Sequence, residues 1–578
     1  MSSDSVFDRR KPVAADPAWT AMLPLALLLM FLCAAGSVHA QDLSAQDLRP
    51  FTLTGSLVTS AENYSIPGMD THRPTNTARL FFNPTVSIYG LQLPFSFVLS
   101  TNERSYNQPF NQFGVSPRYK AVTLHAGYRS LQFSEFTLSD AVILGGGGEL
   151  NADWLHVRGM YGRFRRAVDE DTLRGVIPVY SRMGYALSTG FGSPANSAML
   201  NIVHAWDDST SARAAHPDVL PSPEENLTIG VSARTTLIAG RMTADGEFAG
   251  SFLTRDLRQP QVEDPDVTAL ASGIYDARLS SSFTTALRLG LAWNQDLWGL
   301  RTEFARVEPE FTSAGATYTQ GDRQDITIAP TLRLAEGQLR VSGSLGFRSD
   351  NLLDDRAYTT HRVIGSGSLN WSPSTSFGID ANYSNYSMSN ASAAFAVNDT
   401  SRVENVSASW SLSPRLSFAT GTMQHMLMLF VTSQAFTDRN VLTGKNADND
   451  MLTGVLSWMG SSEEGMGFSA SLQYTSMQTA FANSDIIGAT VGSNRAFFDN
   501  ALFADLSYTL NLSDAGDGSG SDTQHLLTLA LRYKVSNNDA LDFRTQLNSY
   551  NADSAARKSY AGSTSRLQYT RTFAFGGR

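Results

Sequence analysis

Between Ile326 and Arg348 the chain alternates so strictly that only an extended conformation accounts for it. Ile326, Ile328, Pro330, Leu332 and Leu334 share one side of a first arm, and Thr327, Ala329, Thr331 and Arg333 share the other. After Ala335-Glu336-Gly337, a second arm sets Leu339, Val341, Gly343, Leu345 and Phe347 against Arg340, Ser342, Ser344, Gly346 and Arg348. Side chains on a strand point to opposite faces with period two, so both arms read as strands joined in a β-hairpin. The polar face holds almost nothing large and apolar. One such hairpin suits a soluble sandwich as well as a membrane barrel. A long series of them, with little helix to cover the apolar faces, needs another cover. Lipid supplies it, and the strand structure that lipid tolerates is a closed barrel, because a sheet edge in hydrocarbon leaves backbone groups unpaired.

The same pattern recurs from Phe51 to Phe575. Val122, Leu124, Ala126 and Tyr128 alternate with Thr123, His125, Gly127 and Arg129, and Leu227, Ile229, Val231 and Ala233 with Thr228, Gly230, Ser232 and Arg234. Further hairpins are expected at 183–206, 283–307, 363–383 and 451–474. The continuous apolar run Met426 to Val431 is read as strand from its length and neighbours. The count comes to about 26 strands, within a range of roughly 22 to 26, in one large antiparallel transmembrane β-barrel of the all-β class. Short turns at 90–93, 151–153, 295–296, 335–337, 372–374 and 536–539 alternate with long loops at 167–181, 208–224, 256–280, 349–360, 437–449 and 513–522. Transmembrane barrels have this asymmetry, with short periplasmic turns and long outer loops. Trp154, Trp293, Trp298, Trp371 and Trp458 stand beside the short turns, and Trp410 beside Ser413-Pro414 read as another. Tryptophan prefers the membrane interface, where its ring is buried and its N–H stays wet, so these six are expected to form an interfacial belt.

The N-terminus reads as export. Met22 to Ala35 is apolar, follows Arg9-Arg10-Lys11 and leads into Val38-His39-Ala40. The run is too short to span a bilayer and matches a signal peptide, residues 1–40, cleaved after Ala40. Residues 41–50 then form a polar periplasmic segment and 51–578 the barrel. Cys33 is the only cysteine, so the mature chain has no disulfide, thiolate metal site or cysteine nucleophile. Net charge of -10 gives no reason to expect a nucleic-acid partner.

Alternation places Arg129, Arg158, Arg234, Arg288, Arg333, Arg340, Arg348, Arg362, Arg532 and Lys534 on the inner face, with Asp245, Glu247 and Asp380. Charges lining a lumen set ion preference, and the basic excess of this set hints at anions. Other motifs carry less. Gly145-Gly146-Gly147-Gly148 lacks the Lys and Ser or Thr of a phosphate loop and reads as a strand kink. Asp448-Asn449-Asp450 and the run from Asp514 through Asp517 to Asp522 offer oxygen ligands but no calcium-loop spacing. His204 with Asp207-Asp208 has no serine or second histidine placed by motif, so no enzyme is expected, and no cofactor or metal.

The last strand, Leu567 to Phe575, resembles the C-terminal aromatic-rich strand of bacterial outer-membrane proteins, which the barrel-assembly machinery recognises. Here Gly576-Gly577-Arg578 follow it, and Arg571 interrupts its apolar side. The stretch Gln112–Leu150 also looks like a segment of poorly characterised large barrels from Bacteroidota-type bacteria. The resemblance implies an outer-membrane location, contact with outer-membrane lipid, recognition by the assembly machinery through the final strand, and passage of small polar solutes. The expected function is a porin-like channel. The alternative is a non-conducting barrel, plugged by its own loops, that serves envelope assembly or surface interaction. An energised gated transporter is disfavoured, since no plug-sized segment precedes Phe51.

Overall fold

The computed structural model describes residues 50–67, 74–89, 91–101, 112–172, 175–214, 220–262, 273–391, 402–440, 442–516, 518, 520–553 and 557–576. Residues 1–40, read above as a signal peptide, with Arg9-Arg10 and Cys33, nearly all of the 41–50 segment, Asp517 and the last two residues lie outside them.

The strands run in chain order. The first nine are β1 (Thr52–Ser65), β2 (Asn76–Ile88), β3 (Leu91–Ser100), β4 (Gln112–Val115), β5 (Arg118–Tyr119), β6 (Val122–Arg129), β7 (Ile143–Asn151), β8 (Leu155–Arg165) and β9 (Ser181–Gly192). Then come β10 (Ser197–Asp208), β11 (Glu225–Leu237), β12 (Met242–Thr254), β13 (Ser281–Asn294), β14 (Trp298–Val307), β15 (Arg323–Leu334), β16 (Leu339–Ser349), β17 (Thr359–Trp371) and β18 (Phe377–Ala391). The last nine are β19 (Glu404–Thr420), β20 (Met423–Asp438), β21 (Asn449–Ser462), β22 (Met466–Thr479), β23 (Asn483–Phe497), β24 (Leu502–Asp514), β25 (Ser521–Lys534), β26 (Asp539–Asn551) and β27 (Tyr560–Gly576). Each pairs antiparallel with its neighbours, and β1 pairs β27 from Thr52↔Gly576 to Ser65↔Ser563. β4 and β5 form one stave broken at Ser116-Pro117, so the sheet closes as a barrel of 26 staves. No helix among the described residues is long and apolar enough to cross a membrane. Closure pairs every edge, which matters because an unpaired backbone group in hydrocarbon costs several kcal/mol.

Residues paired across a ladder share a face, so register carries the inside-outside assignment around the ring. Leu289, Leu345, Leu456 and Leu506 look outward and are exposed. Proline marks where the ladder gives. Between β15 and β16 the pairing skips from Ile328↔Leu345 to Thr331↔Ser342, past Pro330. Between β19 and β20 it skips from Leu412↔Val431 to Arg415↔Met428, past Ser413 and Pro414. A proline has no N–H to donate, and the strand tolerates the loss at a local opening.

That opening corrects one expectation. Ser413-Pro414 is not a turn, because β19 continues through it to Thr420. Trp410 therefore stands well inside a 17-residue strand, nearer its long-loop end, while facing outward beside Tyr383. The other five tryptophans keep turn-side positions: Trp154 in the turn after β7, Trp293 and Trp298 flanking 295–297, Trp371 ending β17, and Trp458 near the end of β21. The run Met426 to Val431 lies within β20, where Leu427 and Leu429 look out and Met426, Met428 and Phe430 look in. One strand, β23, had no counterpart among the hairpins read from the sequence.

Glycines shape one corner of the wall. Gly114, Gly127, Gly145, Gly162 and Gly184 pair in a single register row across β4 to β9. A Cβ on Gly145 would lie 1.9 Å from the Tyr161 carbonyl oxygen, and one on Gly162 would lie 2.3 Å from that of Leu144. Side chains on this inner row would run into neighbouring backbone, so the wall bends too sharply there for anything but glycine. The glycine run of β7 is part of this corner.

Candidate functional site: the lumen and its inserted loop

Long-loop ends of two hairpins turn into the barrel. Residues 130–142, between β6 and β7, and 308–322, between β14 and β15, meet through a bridge at Leu138↔Gly315. The Ser139 N–H donates to the Gly315 carbonyl at 2.9 Å, the Ser313 hydroxyl to that of Thr137 at 2.7 Å, and the Thr317 N–H to Asp140 at 3.1 Å. Phe136, Thr137 and Leu138 are completely buried. Leu138 packs with Leu131, Ile143, Met160, Val203 and Ala314, and Phe136 with Ala249, Ala286, Val307 and Phe311. Burying Phe136 and Leu138 stabilises the insertion by about 1.5–3 kcal/mol each.

The wall is built to receive it. Inward positions of β9 to β14 are small: Ala186, Ala205, Ala249, Ala286 and Ala305, with Ser188, Thr228 and Ser251. Gly230 is one of them, and a Cβ there would fall 2.6 Å from Thr137 Cγ2. Polar anchors hold the backbone. The Glu247 carboxylate accepts the N–H groups of Glu135 at 3.1 Å and Phe136 at 2.8 Å. Asn226 donates to the Thr312 carbonyl at 3.0 Å and accepts the Ala314 N–H at 2.8 Å. Two loops so held close off one side of the lumen.

Charges collect where the loop ends. Arg288 lies 3.2 Å from Glu135, 3.2 Å from Asp245 and 3.6 Å from Glu303. Arg301 lies 3.3 Å from Asp245 and 3.0 Å from Glu303. Arg323 bridges Glu135 at 3.6 Å and Asp325 at 3.7 Å, and Arg348 reaches Asp325 at 2.5 Å. Burial raises the Glu135 carboxyl above its ordinary range; Arg288 and Arg323 oppose this, while Glu247 and Glu303 add to it.

By register, every charged residue expected in the lumen lies on the inward face. The structure distributes their partners unevenly. Arg158 donates to the Gln132 carbonyl at 3.1 Å and covers the Phe133 ring, which fastens the start of the inserted loop. Arg129 hydrogen-bonds Ser116, whose hydroxyl contacts His125, which in turn contacts Glu149 at 2.8 Å. Asp380 pairs with Arg415 at 2.8 Å, and Arg532 with Asp542 at 3.5 Å. Arg234, Arg333, Arg340, Arg362 and Lys534 have no ion pair among the described residues. The reading from sequence missed Glu135, Glu149, Arg301, Glu303, Arg323 and Asp325. With them the loop-side cluster is largely self-neutralised, so the basic excess of the first set does not describe it. Glu303 and Asp325 were findable, since they share the parity of Ala305 and Thr327. Glu135 was not, because it sits in a loop.

The opposite arc carries no inserted loop among the described residues. The middle of its inner face is hydroxyl and amide. One register row runs Ser342, Ser368, Asn382, Ser411, Thr432 and Thr453 across β16 to β21. Beside it runs Ser344, Ser366, Ser384, Ser409 and Gln434. Neighbours hydrogen-bond along the rows, Ser342 to Ser368 at 2.5 Å, Ser384 to Ser409 at 2.7 Å and Asn382 to Ser411 at 3.3 Å. A cavity of about 460 Å³ lies against them.

Other motifs fall apart or become structural. His204 faces outward, 2.8 Å from Glu225 and beside Tyr185 and Trp206, while Asp207 faces inward between Arg165 and Arg182. The two do not meet. Asp448 accepts the Asp438 N–H at 2.8 Å, and Asp522 pairs with Arg557 at 2.9 Å. Arg571 shares the outer face with Phe573 and lies 3.6 Å from Asp539. At the seam the Phe573 ring stands 6.1 Å from Phe82, which stacks on Phe97.

No protein-family model and no curated protein matches the sequence. Solved structures that match include outer-membrane barrels. The translocation pore of the P pilus usher PapC is 10% identical, with 91% of this chain and 100% of that one covered, at a TM-score of 0.36. OccK5 (OpdH) of Pseudomonas aeruginosa is 10% identical, with 92% and 100% covered, at 0.30. The outer membrane protein OpdK of Pseudomonas aeruginosa is 10% identical, with 66% and 99% covered, at 0.29. Scores this low reflect a shared kind of construction and transfer no function. Nothing in these comparisons supports the likeness of Gln112–Leu150 to Bacteroidota-type barrels.

Proposed function

We propose that this chain is a channel of the bacterial outer membrane that passes small polar solutes through the hydroxyl-lined side of its lumen. One observation carries the reading: the interior is filled unequally. The inserted loops bury the long-loop half of the inner wall from β7 to β14, while on the other arc the inward side chains of Tyr386, Met459 and Met477 each remain 39% exposed. An apolar exterior, a closed ladder and a wet inner face on one side are what a pore requires. The loops narrow the passage, and the charges at their edge lie where ions would feel them. In this reading the exported chain resides in the outer membrane, and its last strand engages the barrel-assembly machinery.

Purified full-length protein in planar bilayers should give stable KCl conductance. Silence at every voltage would overturn the proposal and favour a barrel used for assembly or surface contact.

A further inference from the structure

We propose that the preferred solute is uncharged and polyhydroxylated, a short oligosaccharide, bound in transit against the hydroxyl rows of β16 to β21. This deepens the channel reading and rests on it. The chemistry begins with the hydroxyl group, which offers one donor and two acceptor sites. Two serines bonded to each other, such as Ser384 and Ser409, still have acceptor capacity and one free donor. A row of them can exchange hydrogen bonds with a sugar edge in any register, so the solute can step along the wall without a large barrier.

A sugar ring also has C–H faces, and the wall supplies apolar neighbours for them. Tyr386 and Ile364 pair in register on the long-loop side of the rows, and Phe430 pairs with Val455 on the turn side. All four point inward. The two central rows carry no charge from β16 to β21. Charge enters at their edges, through Arg340 and the Asp380–Arg415 pair on one side and Arg348 and Arg362 on the other. Across the lumen, the arginines at the inserted loop already hold carboxylate partners. An ion would have to compete with those contacts on that side, whereas a neutral solute need not; at the row edges Arg340 and Arg362 hold no carboxylate among the described residues, and trigalacturonate in the test below reads their pull. The cavity on the rows, about 460 Å³, is within the range of small-ligand sites.

The test is current block in planar bilayers with the full-length protein in KCl. Maltotriose should interrupt the current at millimolar concentration, and a polyethylene glycol of similar size should not. Paired replacement of Ser411→Val and Thr432→Val should raise the half-blocking concentration about five- to tenfold, relative to the open current of the same variant. Tyr386→Ala, which leaves both rows intact, should weaken the block by a smaller factor. Equal effects of maltotriose and the glycol on a conducting channel would overturn the sugar assignment and leave the channel standing. Stronger block by trigalacturonate would overturn the uncharged assignment. Absence of any KCl current would remove both.

Discussion

The arc from β7 to β14 and the arc from β16 to β22 obey the same alternation and present the same outer face to lipid, yet their inner faces do opposite things. The first is dry. Its inward alanines, glycine and small hydroxyls accept two loops, and the charges at the loop edge are paired with one another. The second is wet. Among the described residues its inward serines, threonines and amides meet no loop, and they bond mostly along their own rows. The difference teaches that a polar inner face has no single meaning in a barrel. Alanine or glycine at an inward position offers a surface on which backbone can dock; serine at the same place offers a hydroxyl that stays useful in water. On β19 alone, Ser407, Ser409, Ser411, Ser413 and Ser417 all point in.

The largest effect that would test this contrast is removal of the inserted loop. Replacing 131–140 with a short Gly-Ser linker should raise single-channel conductance about twofold or more, because among the described residues the obstruction lies on the dry arc. Unchanged conductance would mean that the loop does not lie in the ion path. Next, the outer and inner faces can be set against each other on one strand. Leu456→Arg should destabilise the folded barrel by about 2–4 kcal/mol in urea titrations in lipid, and Ser457→Arg by far less. Equal losses would mean that the register of β21 is wrong.

The anchors of the dry arc come third. Glu247→Ala leaves the N–H groups of Glu135 and Phe136 without their acceptor and should cost about 1–3 kcal/mol. It should also add open-channel noise as the loop detaches, whereas Ser384→Ala in the wet arc should cost no more than about 0.5 kcal/mol and add none. The smallest expected effect is on pH. The Glu135 carboxyl is raised in the folded loop, so it takes up a proton at higher pH than it would in the unfolded chain. Protonation therefore favours the folded loop, and the penalty of keeping this carboxylate charged returns as pH rises through its folded value. Acid should not release the loop. It should neutralise Glu135, leave Arg288 to Asp245 and Glu303 and Arg323 to Asp325, and by removing one negative charge move reversal potentials slightly toward anions, a shift that Glu135→Gln should abolish.

Much of the fold was legible because side-chain direction on a strand is local. Ile326 to Arg348 alone predicted its own pairing, turn and faces, and the same reading put Arg288 and Asp245 inside. Where it failed, the cause was also local. Ser413-Pro414 carries the signature of a turn, and only the strands on either side, which keep their pairing past the gap, hold it extended. The charged network could be reached only halfway, since parity places Glu303 and Asp325 inside but says nothing of which charges meet.

What the residues determined alone was which way each side chain points, because the pleat repeats every two positions whatever the rest of the chain does. What the closed barrel decided was which loops enter it. Glu247 lies 112 positions from Glu135 and 111 from Phe136 in the sequence, and they touch only because closure curves β12 round to face the loop after β6. A contact of that kind depends on the diameter and bend of the whole ring, to which no single segment's pattern has access.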